Sequence, residues 1–256
     1  MLNVIDHGPA DTAEPPLLIV HGLFGSGRNW GAIAKRLAPK RQVIAVDQRN
    51  HGNSPWFDSH SYMDMADDLA EVVTHFGGRM DVCGHSMGGK AAMTLALTRP
   101  ELVNRLIVAD IAPVPYSHDQ NENIEAMRSV DLTKVTKRAD ASAQLALRIP
   151  DTTLQSFFTQ SLDVKERRWR LNLDVLEREM DKILSFPELD GVFEGPTLFL
   201  SGAASTYVLP EHRTTIRGKF PKARFAKITG AGHWLHAEKP REFIASVEAW
   251  LAHPAS

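Results

Sequence analysis

Ser86 is the residue whose surroundings most clearly predict chemistry. It lies in the pentapeptide GHSMG, residues 84–88, which follows an apolar run and opens into a predicted helix. A Gly-x-Ser-x-Gly sequence on a sharp strand-to-helix turn exposes a serine hydroxyl that can attack a carbonyl carbon. Residues 84–90 also nearly fit the phosphate-binding pattern G-x-x-x-x-G-K. The turn alone therefore predicts two chemistries, nucleophilic catalysis and nucleotide binding.

The phosphate-loop alternative is the weaker one. Such a loop needs a serine or threonine after its lysine to bind magnesium, and Ala91 follows Lys90 here. Beyond Asp47 and Asp110, no apolar run that ends in an acid supplies a second magnesium partner. Nucleotide hydrolysis is therefore disfavoured, and Lys90 is interpreted as a first-turn helix residue with a solvated ammonium group.

A nucleophilic serine also needs a base that takes its proton and a carboxylate that orients the base. His233 is the best candidate base, because the loop 229–232 contains two glycines and can present the imidazole after the last predicted strand. His236 allows a His-x-x-His metal interpretation, but no third ligand completes it. His51 is the alternative base if His233 fails.

The carboxylate is predicted in a less usual place. Many enzymes of this kind carry it in the loop after the strand predicted here at 197–200, where this chain has Ser205. Asp110 ends the strand that follows the nucleophile helix, and from there it can reach the same histidine. Asp174 and Asp190 are weaker candidates, because they fall in or near a helical insertion that would hold an imidazole less rigidly.

Acyl transfer further requires two backbone N–H groups that stabilise the oxyanion. Met87 supplies the first by its position after the serine, and Leu23 is predicted to supply the second from the loop 21–25. The polar loop 47–54 is interpreted as a structural brace beneath the nucleophile turn. Three aromatic residues are assigned to substrate binding, although aromatic side chains more often pack in a core: Phe24, Trp169 and Trp234.

These residues require a scaffold of alternating strands and helices. Short apolar runs predict strands, and the alternation predicts a doubly wound, mostly parallel α/β sheet with helices on both faces. Open sheets of this kind bind ligands at the carboxyl edge of their strands. The predicted strands are 17–20, 42–46, 80–83, 105–109, 197–200 and 224–228, and the predicted helices are 30–37, 63–76, 90–98 and 241–251.

Residues 113–190 interrupt the alternation, because strand-like runs disappear there and the apolar spacing becomes helical. A helical segment inserted where a strand ends would cover the carboxyl edge of the sheet. We therefore predict a core formed by residues 1–112 and 191–256, with residues 113–190 as a helical lid.

Composition narrows the class of protein. The 256 residues are 43% hydrophobic, which suffices for one large core, and the formal net charge of -2 includes no basic stripe of the kind that binds nucleic acid. The single cysteine, Cys83, excludes an intrachain disulfide and is predicted to be a buried thiol. No signal peptide or membrane span is recognised, so we expect a cytoplasmic protein without stable membrane association or an obligate protein partner.

Several motifs occur together and in order, and they make the chain resemble the α/β-hydrolase-fold esterases of the bacterial YbfF type and the mitochondrial hydrolase-domain protein 11 group. The resemblance implies an esterase or thioesterase without metal or cofactor, which acts on short- to medium-chain acyl esters or acyl-CoA. It also implies that Asp110 completes the triad. The motifs are residues 21–25, 47–54, 84–90, 110–113, 169–172 and 231–234.

The predicted function is a serine carboxyl-ester hydrolase that uses Ser86, His233 and Asp110 and takes a small-molecule ester or thioester. A carbon–carbon bond hydrolase and an acyltransferase are alternatives, because the same triad serves both reactions. A ligand-binding receptor on the same scaffold is an alternative from a different class.

Overall fold

A single large sheet positions the residues predicted to carry the chemistry. The computed structural model describes residues 1–9, 12–117 and 120–252. The strands of this part of the chain are β1 (Val4–His7), β2 (Leu17–Val20), β3 (Val43–Val46), β4 (Met80–His85), β5 (Val103–Ala109), β6 (Leu162–Asp163), β7 (Arg168–Trp169), β8 (Thr197–Gly202) and β9 (Ala223–Ile228).

The main sheet has the strand order β1-β3-β2-β4-β5-β8-β9. Its strands run parallel except β1, which pairs antiparallel with β3 at one edge. The four residues of β2 and of β3 are all buried apolar side chains, as expected for parallel strands covered on both faces. The predicted doubly wound α/β sheet is thus confirmed.

Helices cover both faces of this sheet. None of the helices in the described ranges combines the length and the apolar character needed to cross a membrane. The α-helices are α1 (Gly31–Leu37), α2 (Tyr62–His75), α3 (Met87–Thr98), α4 (Asn121–Arg128), α5 (Arg138–Leu145), α6 (Thr152–Gln160), α7 (Leu173–Arg178), α8 (Met180–Leu184), α9 (Arg213–Lys219), α10 (Leu235–Glu238) and α11 (Pro240–Leu251).

The core consists of two apolar layers, one on each face of the sheet. Successive side chains of β4 point to opposite faces, so that Val82 packs in the layer with α2 and α3 while Cys83 packs in the layer with α1 and α11. The prediction of a buried thiol is therefore confirmed. Burial raises the pKa of Cys83 to about 12, which keeps the thiol protonated.

Residues 113–190, here called the cap, lie between β5 and β8 in the chain. Their described part holds the five helices α4 to α8 and the two-stranded hairpin of β6 and β7. The sequence predicted the helices but not the hairpin, whose two-residue strands are too short to leave a periodic signal. The predicted division between core and cap at residues 112 and 191 stays a prediction.

Candidate active site

Ser86 lies on a tight turn between β4 and α3. Its backbone has φ 53° and ψ −122°, a left-handed conformation that is strained for a residue with a side chain. Two glycines make the turn possible by allowing close backbone approach. A Cβ atom at Gly84 would lie 2.2 Å from the Gly88 carbonyl oxygen, and one at Gly88 would lie 2.4 Å from the carbonyl oxygens of Val20 and His21. The turn thus requires glycine at positions 84 and 88, on either side of the half-buried Ser86.

His233 and Asp110 extend a line of hydrogen bonds from this hydroxyl. His233 Nε2 lies 3.1 Å from Ser86 Oγ, and His233 Nδ1 lies 2.8 Å from Asp110 Oδ2. Because a carboxylate only accepts hydrogen bonds, Nδ1 carries the imidazole proton and Nε2 is left to accept the serine hydroxyl. The arrangement can transfer a proton from Ser86 to His233 while Asp110 stabilises the resulting imidazolium.

Asp110 is fully buried and fixed by three further contacts. It follows the last residue of β5, which pairs with β4, the strand directly before Ser86, and its backbone N–H donates to the Leu200 carbonyl oxygen at 2.9 Å. The Gly202 N–H donates to Oδ1 at 3.0 Å, and the Ser205 hydroxyl donates to Oδ2. Ser205, which occupies the position where the acid was first sought, therefore serves as a hydrogen-bond donor to the acid.

Two neighbours position His233, one through its imidazole and one through its backbone. The ring of Tyr207 stacks on it, with centroids 3.8 Å apart and an angle of 17° between the planes. His85 Nε2 donates to the backbone carbonyl oxygen of His233 at 2.9 Å. Both contacts join residues far apart in the sequence, so no local pattern could have predicted them.

Leu23 and Met87, the predicted oxyanion donors, both line the cavity that contains Ser86. Met87 is the first residue of α3, so its N–H has no acceptor within the helix and remains available to a ligand. The loop that carries Leu23 closes on itself, because the Gly25 N–H donates to the Gly22 carbonyl oxygen at 3.1 Å.

The polar loop 47–54 braces the loop of Leu23 from below, in line with the structural interpretation. His51 Nε2 accepts from the Phe24 N–H at 3.2 Å, and His51 Nδ1 donates to the Arg49 carbonyl oxygen at 2.9 Å. His51 is fully buried, and burial holds its pKa well below the usual value. A neutral imidazole with both nitrogens bound to backbone is a structural element, so the alternative base is not placed for proton transfer.

A cavity of about 340 Å³ contains the Ser86 hydroxyl between core and cap. Phe24 and Trp234, two of the three predicted substrate-binding residues, lie in its wall. The cap contributes an apolar wall, formed by Leu154, Phe157, Phe158, Ile183 and Leu184.

Trp169, the third predicted substrate-binding residue, lies outside this wall, and the prediction is corrected accordingly. The side chain is 7% exposed, and its indole N–H donates to the Met127 carbonyl oxygen at 3.0 Å. Trp169 thus packs inside the cap. The residues after it join the cap to the brace, since the Asn172 N–H donates to the Asn50 carbonyl oxygen at 2.9 Å.

Lys90 is buried, which corrects the prediction of a solvated ammonium group. It is 1% exposed, and its Nζ donates to the carbonyl oxygens of Leu184, at 2.8 Å, and Ser185 at the carboxyl end of α8. The ring of Tyr116 lies 4.8 Å from Nζ. The cap covers the side of α3 that was expected to face water, so Lys90 lies in the interior.

This burial predicts a pH dependence of stability. The cost of removing the ammonium from water lowers the pKa of Lys90 to about 7, against about 10.4 in an unfolded chain. Between these values the unfolded state binds a proton that the folded state has lost, so the free energy of unfolding rises with pH. We expect the wild type to gain up to about 4 kcal/mol relative to Lys90→Met between pH 7 and 10.

Denaturant unfolding of both proteins across this range measures the effect. Lys40→Met is the control, because the Lys40 side chain is 71% exposed and its loss should leave the pH dependence unchanged. If the difference in the free energy of unfolding between the wild type and Lys90→Met stayed constant with pH, the expectation would be contradicted. The cap carbonyl oxygens would then stabilise the ammonium as well as water does.

The His-x-x-His pair of His233 and His236 is not part of a metal site in the described part of the chain. Within the described ranges, no group of three or more histidine, cysteine, aspartate or glutamate side chains is placed to hold a metal ion. His236, the second residue of the His-x-x-His pair, packs flat against Trp30, with ring centroids 4.2 Å apart. The two histidines therefore do not form a site together with a third ligand.

Known proteins resemble this chain over nearly its whole length. The model of the alpha/beta hydrolase fold family matches residues 15–240. The sn-1-specific diacylglycerol lipase ABHD11 of Mus musculus is 41% identical over 262 residues, which cover 98% of this chain and 84% of the relative. Esterase YbfF of Escherichia coli (strain K12) is 34% identical over 238 residues and 92% of each chain. The solved structure of a marine microorganism esterase has a TM-score of 0.91 at 38% identity and covers 97% of this chain and 98% of that one.

Proposed function

Because this chain belongs to the α/β hydrolase fold family and is a hydrolase of the esterase and lipase type, we propose that it is a serine carboxyl-ester hydrolase with Ser86 as nucleophile. His233 is the general base and acid, and Asp110 orients it. One observation carries this proposal: His233 Nε2 lies 3.1 Å from Ser86 Oγ while its Nδ1 lies 2.8 Å from the buried Asp110 carboxylate.

Acylation begins when Ser86 Oγ attacks the ester carbonyl carbon and its proton passes to His233 Nε2. The carbonyl oxygen becomes an oxyanion, which the Leu23 and Met87 N–H groups stabilise. When the tetrahedral intermediate collapses, the bond to the alcohol oxygen breaks and His233 returns the proton to that oxygen. The alcohol leaves, and the acyl group stays on Ser86 as an ester.

Deacylation repeats these steps with water. His233 Nε2 takes a proton from water as the water oxygen attacks the acyl carbon, and the second tetrahedral intermediate expels Ser86 Oγ. His233 returns the proton to Oγ, so the carboxylic acid is released and the enzyme is restored. Asp110 accepts the hydrogen bond from His233 Nδ1 and stabilises the imidazolium in both halves of the reaction.

The size and the lining of the cavity support the proposal that the substrates carry a short to medium acyl chain. Its volume of about 340 Å³ is at the lower end of ligand sites, and the side chains of Leu154, Phe157 and Phe158 from the cap offer apolar contacts to an alkyl group. The names of two relatives, a diacylglycerol lipase and an esterase, are in line with ester hydrolysis. The location in the cytoplasm and the hydrolysis of acyl-CoA thioesters remain predictions.

A chain-length series tests this function. We expect steady multiple turnover of p-nitrophenyl esters, with kcat/KM highest at four to eight acyl carbons, about tenfold above the hexadecanoyl ester because a longer chain outgrows the cavity. Acyl-CoAs of the same lengths measure the thioesterase reaction in parallel. A single slow covalent event without further turnover would contradict the proposal and favour a receptor, and Ser86→Ala is the control for background hydrolysis.

A further inference from the structure

Three aromatic rings form a cluster in the cavity wall that the catalytic steps above do not use. His236 stacks on Trp30 with an angle of 9° between the ring planes, and its centroid lies 4.4 Å from that of His85. All three side chains line the cavity that contains Ser86. His236 is 8% exposed. Its ring is held by Trp30 on one face and by the neighbouring His85.

His236 has one ring nitrogen that is left without a hydrogen bond in the described part of the chain. Nδ1 is buried and has no hydrogen-bond partner among the described residues. Burial lowers the pKa of His236 to about 3, so the ring is neutral and offers one donor and one acceptor. An acceptor is left unpaired inside proteins more readily than an N–H donor. The favoured tautomer therefore has a bare Nδ1 and carries its proton on Nε2.

The position of His236 relates it to the leaving group of an ester. His233 must reach the leaving oxygen to protonate it, so the alcohol lies beside the His233 imidazole. His85 bridges the two histidines, because its ring lies 4.8 Å from that of His233 as well as beside His236. The apolar side chains of Leu154 and Phe157, by contrast, suit the acyl chain.

On the basis of the proposed esterase function, we propose that His236 is a specificity-determining residue that donates a hydrogen bond from Nε2 to a free hydroxyl group on the leaving alcohol. A hydroxyl is the matching group for two reasons. It accepts a hydrogen bond from the N–H, and it is neutral, so it needs no charged partner in the cavity wall. The preferred substrates are then carboxylic esters of diols or polyols rather than esters of simple alkanols.

Two esters that differ in one group test this proposal. In 2-hydroxyethyl butanoate a hydroxyl replaces the terminal methyl of propyl butanoate, while the acyl group and the length of the alcohol are the same. We expect the wild-type kcat/KM to be about tenfold higher for the hydroxyethyl ester. The ratio of the two values is the measurement, since any general loss of activity cancels from it.

Substitution of His236 separates the hydrogen bond from the stacking. In His236→Phe the ring on Trp30 is kept and the nitrogens are lost, so the ratio should fall about tenfold; His236→Leu repeats the test with a smaller side chain. In His236→Gln an amide donor reaches the place of Nε2, and most of the preference should return. A ratio unchanged in His236→Phe and His236→Leu would overturn the proposal. Wild-type protein that cleaves neither these two esters nor p-nitrophenyl butanoate would overturn the esterase function, and this inference with it; cleavage of p-nitrophenyl butanoate alone would overturn only the inference.

Discussion

Ser86→Ala should lower kcat for ester hydrolysis by about 10⁵-fold or more, because alanine has no hydroxyl that can attack the ester and carry the acyl group. The fold should persist, since the hydroxyl makes a hydrogen bond to His233 Nε2 and is not part of the packed core. The measurement is the rate with p-nitrophenyl butanoate together with the thermal midpoint. We expect the midpoint to stay within a few degrees of the wild-type value.

A folded Ser86→Ala protein that kept more than about 1% of wild-type turnover would contradict the assignment of the nucleophile. Because alanine has no hydroxyl to acylate, such activity would have to come from another residue. A matched control is Ser246→Ala, which removes an exposed hydroxyl that donates to the Glu242 carbonyl oxygen within α11. It should keep full activity.

Asp110→Asn should lower kcat by about 10³- to 10⁴-fold while the substitution changes the side-chain shape very little. An amide in place of the carboxylate can present an N–H to His233 Nδ1, which forces the imidazole proton onto Nε2. The ring would then donate towards Ser86 instead of accepting its proton, and the imidazolium would lose its counter-charge. Steady-state kinetics with the same ester measures the loss.

Asp174→Asn is the control for this substitution. The Asp174 side chain is 86% exposed and pairs with Arg128 at 2.6 Å on the surface of the cap, so its neutralisation should leave kcat within about twofold. The assignment of Asp110 would be wrong if Asp174→Asn lost orders of magnitude in kcat and Asp110→Asn did not.

The strands and the nucleophile turn were predictable because their signals are local. Buried parallel strands such as β2 and β3 are continuous apolar runs, and the glycines around Ser86 mark a turn that no larger side chain allows. The strand β1 was not predicted, because its residues are only partly buried and it pairs at an edge of the sheet. Edge strands give weak patterns since one side of their ladder faces no neighbour.

The contacts around the triad were only partly predictable. The carboxyl ends of β4 and β5 are adjacent, which made Asp110 a reasonable choice beside Ser86. The hydrogen bond from Ser205 joins residues 95 positions apart, so its presence depends on how β8 lies against β5. The spacing of residues in the sequence therefore could not predict this contact.

Two errors share one physical cause, which is that the cap adds a second buried surface. Lys90 was expected to be solvated because it lies one turn into a helix, but the end of α8 covers it. Trp169 was expected to face substrate, but it packs against α4. Which side of a helix or hairpin meets a cap follows from tertiary packing, and a periodic pattern cannot distinguish a cavity wall from a core.

Labelling with a fluorophosphonate tests most directly whether Ser86 is an activated nucleophile. The Ser86 oxygen should attack phosphorus and displace fluoride, and mass spectrometry of the digested, folded wild-type protein should find the adduct on the peptide that contains Ser86. Ser86→Ala and heat-denatured wild type should remain unlabelled, because the reaction needs His233 in place. An unlabelled Ser86 in folded, soluble wild-type protein would contradict the central claim.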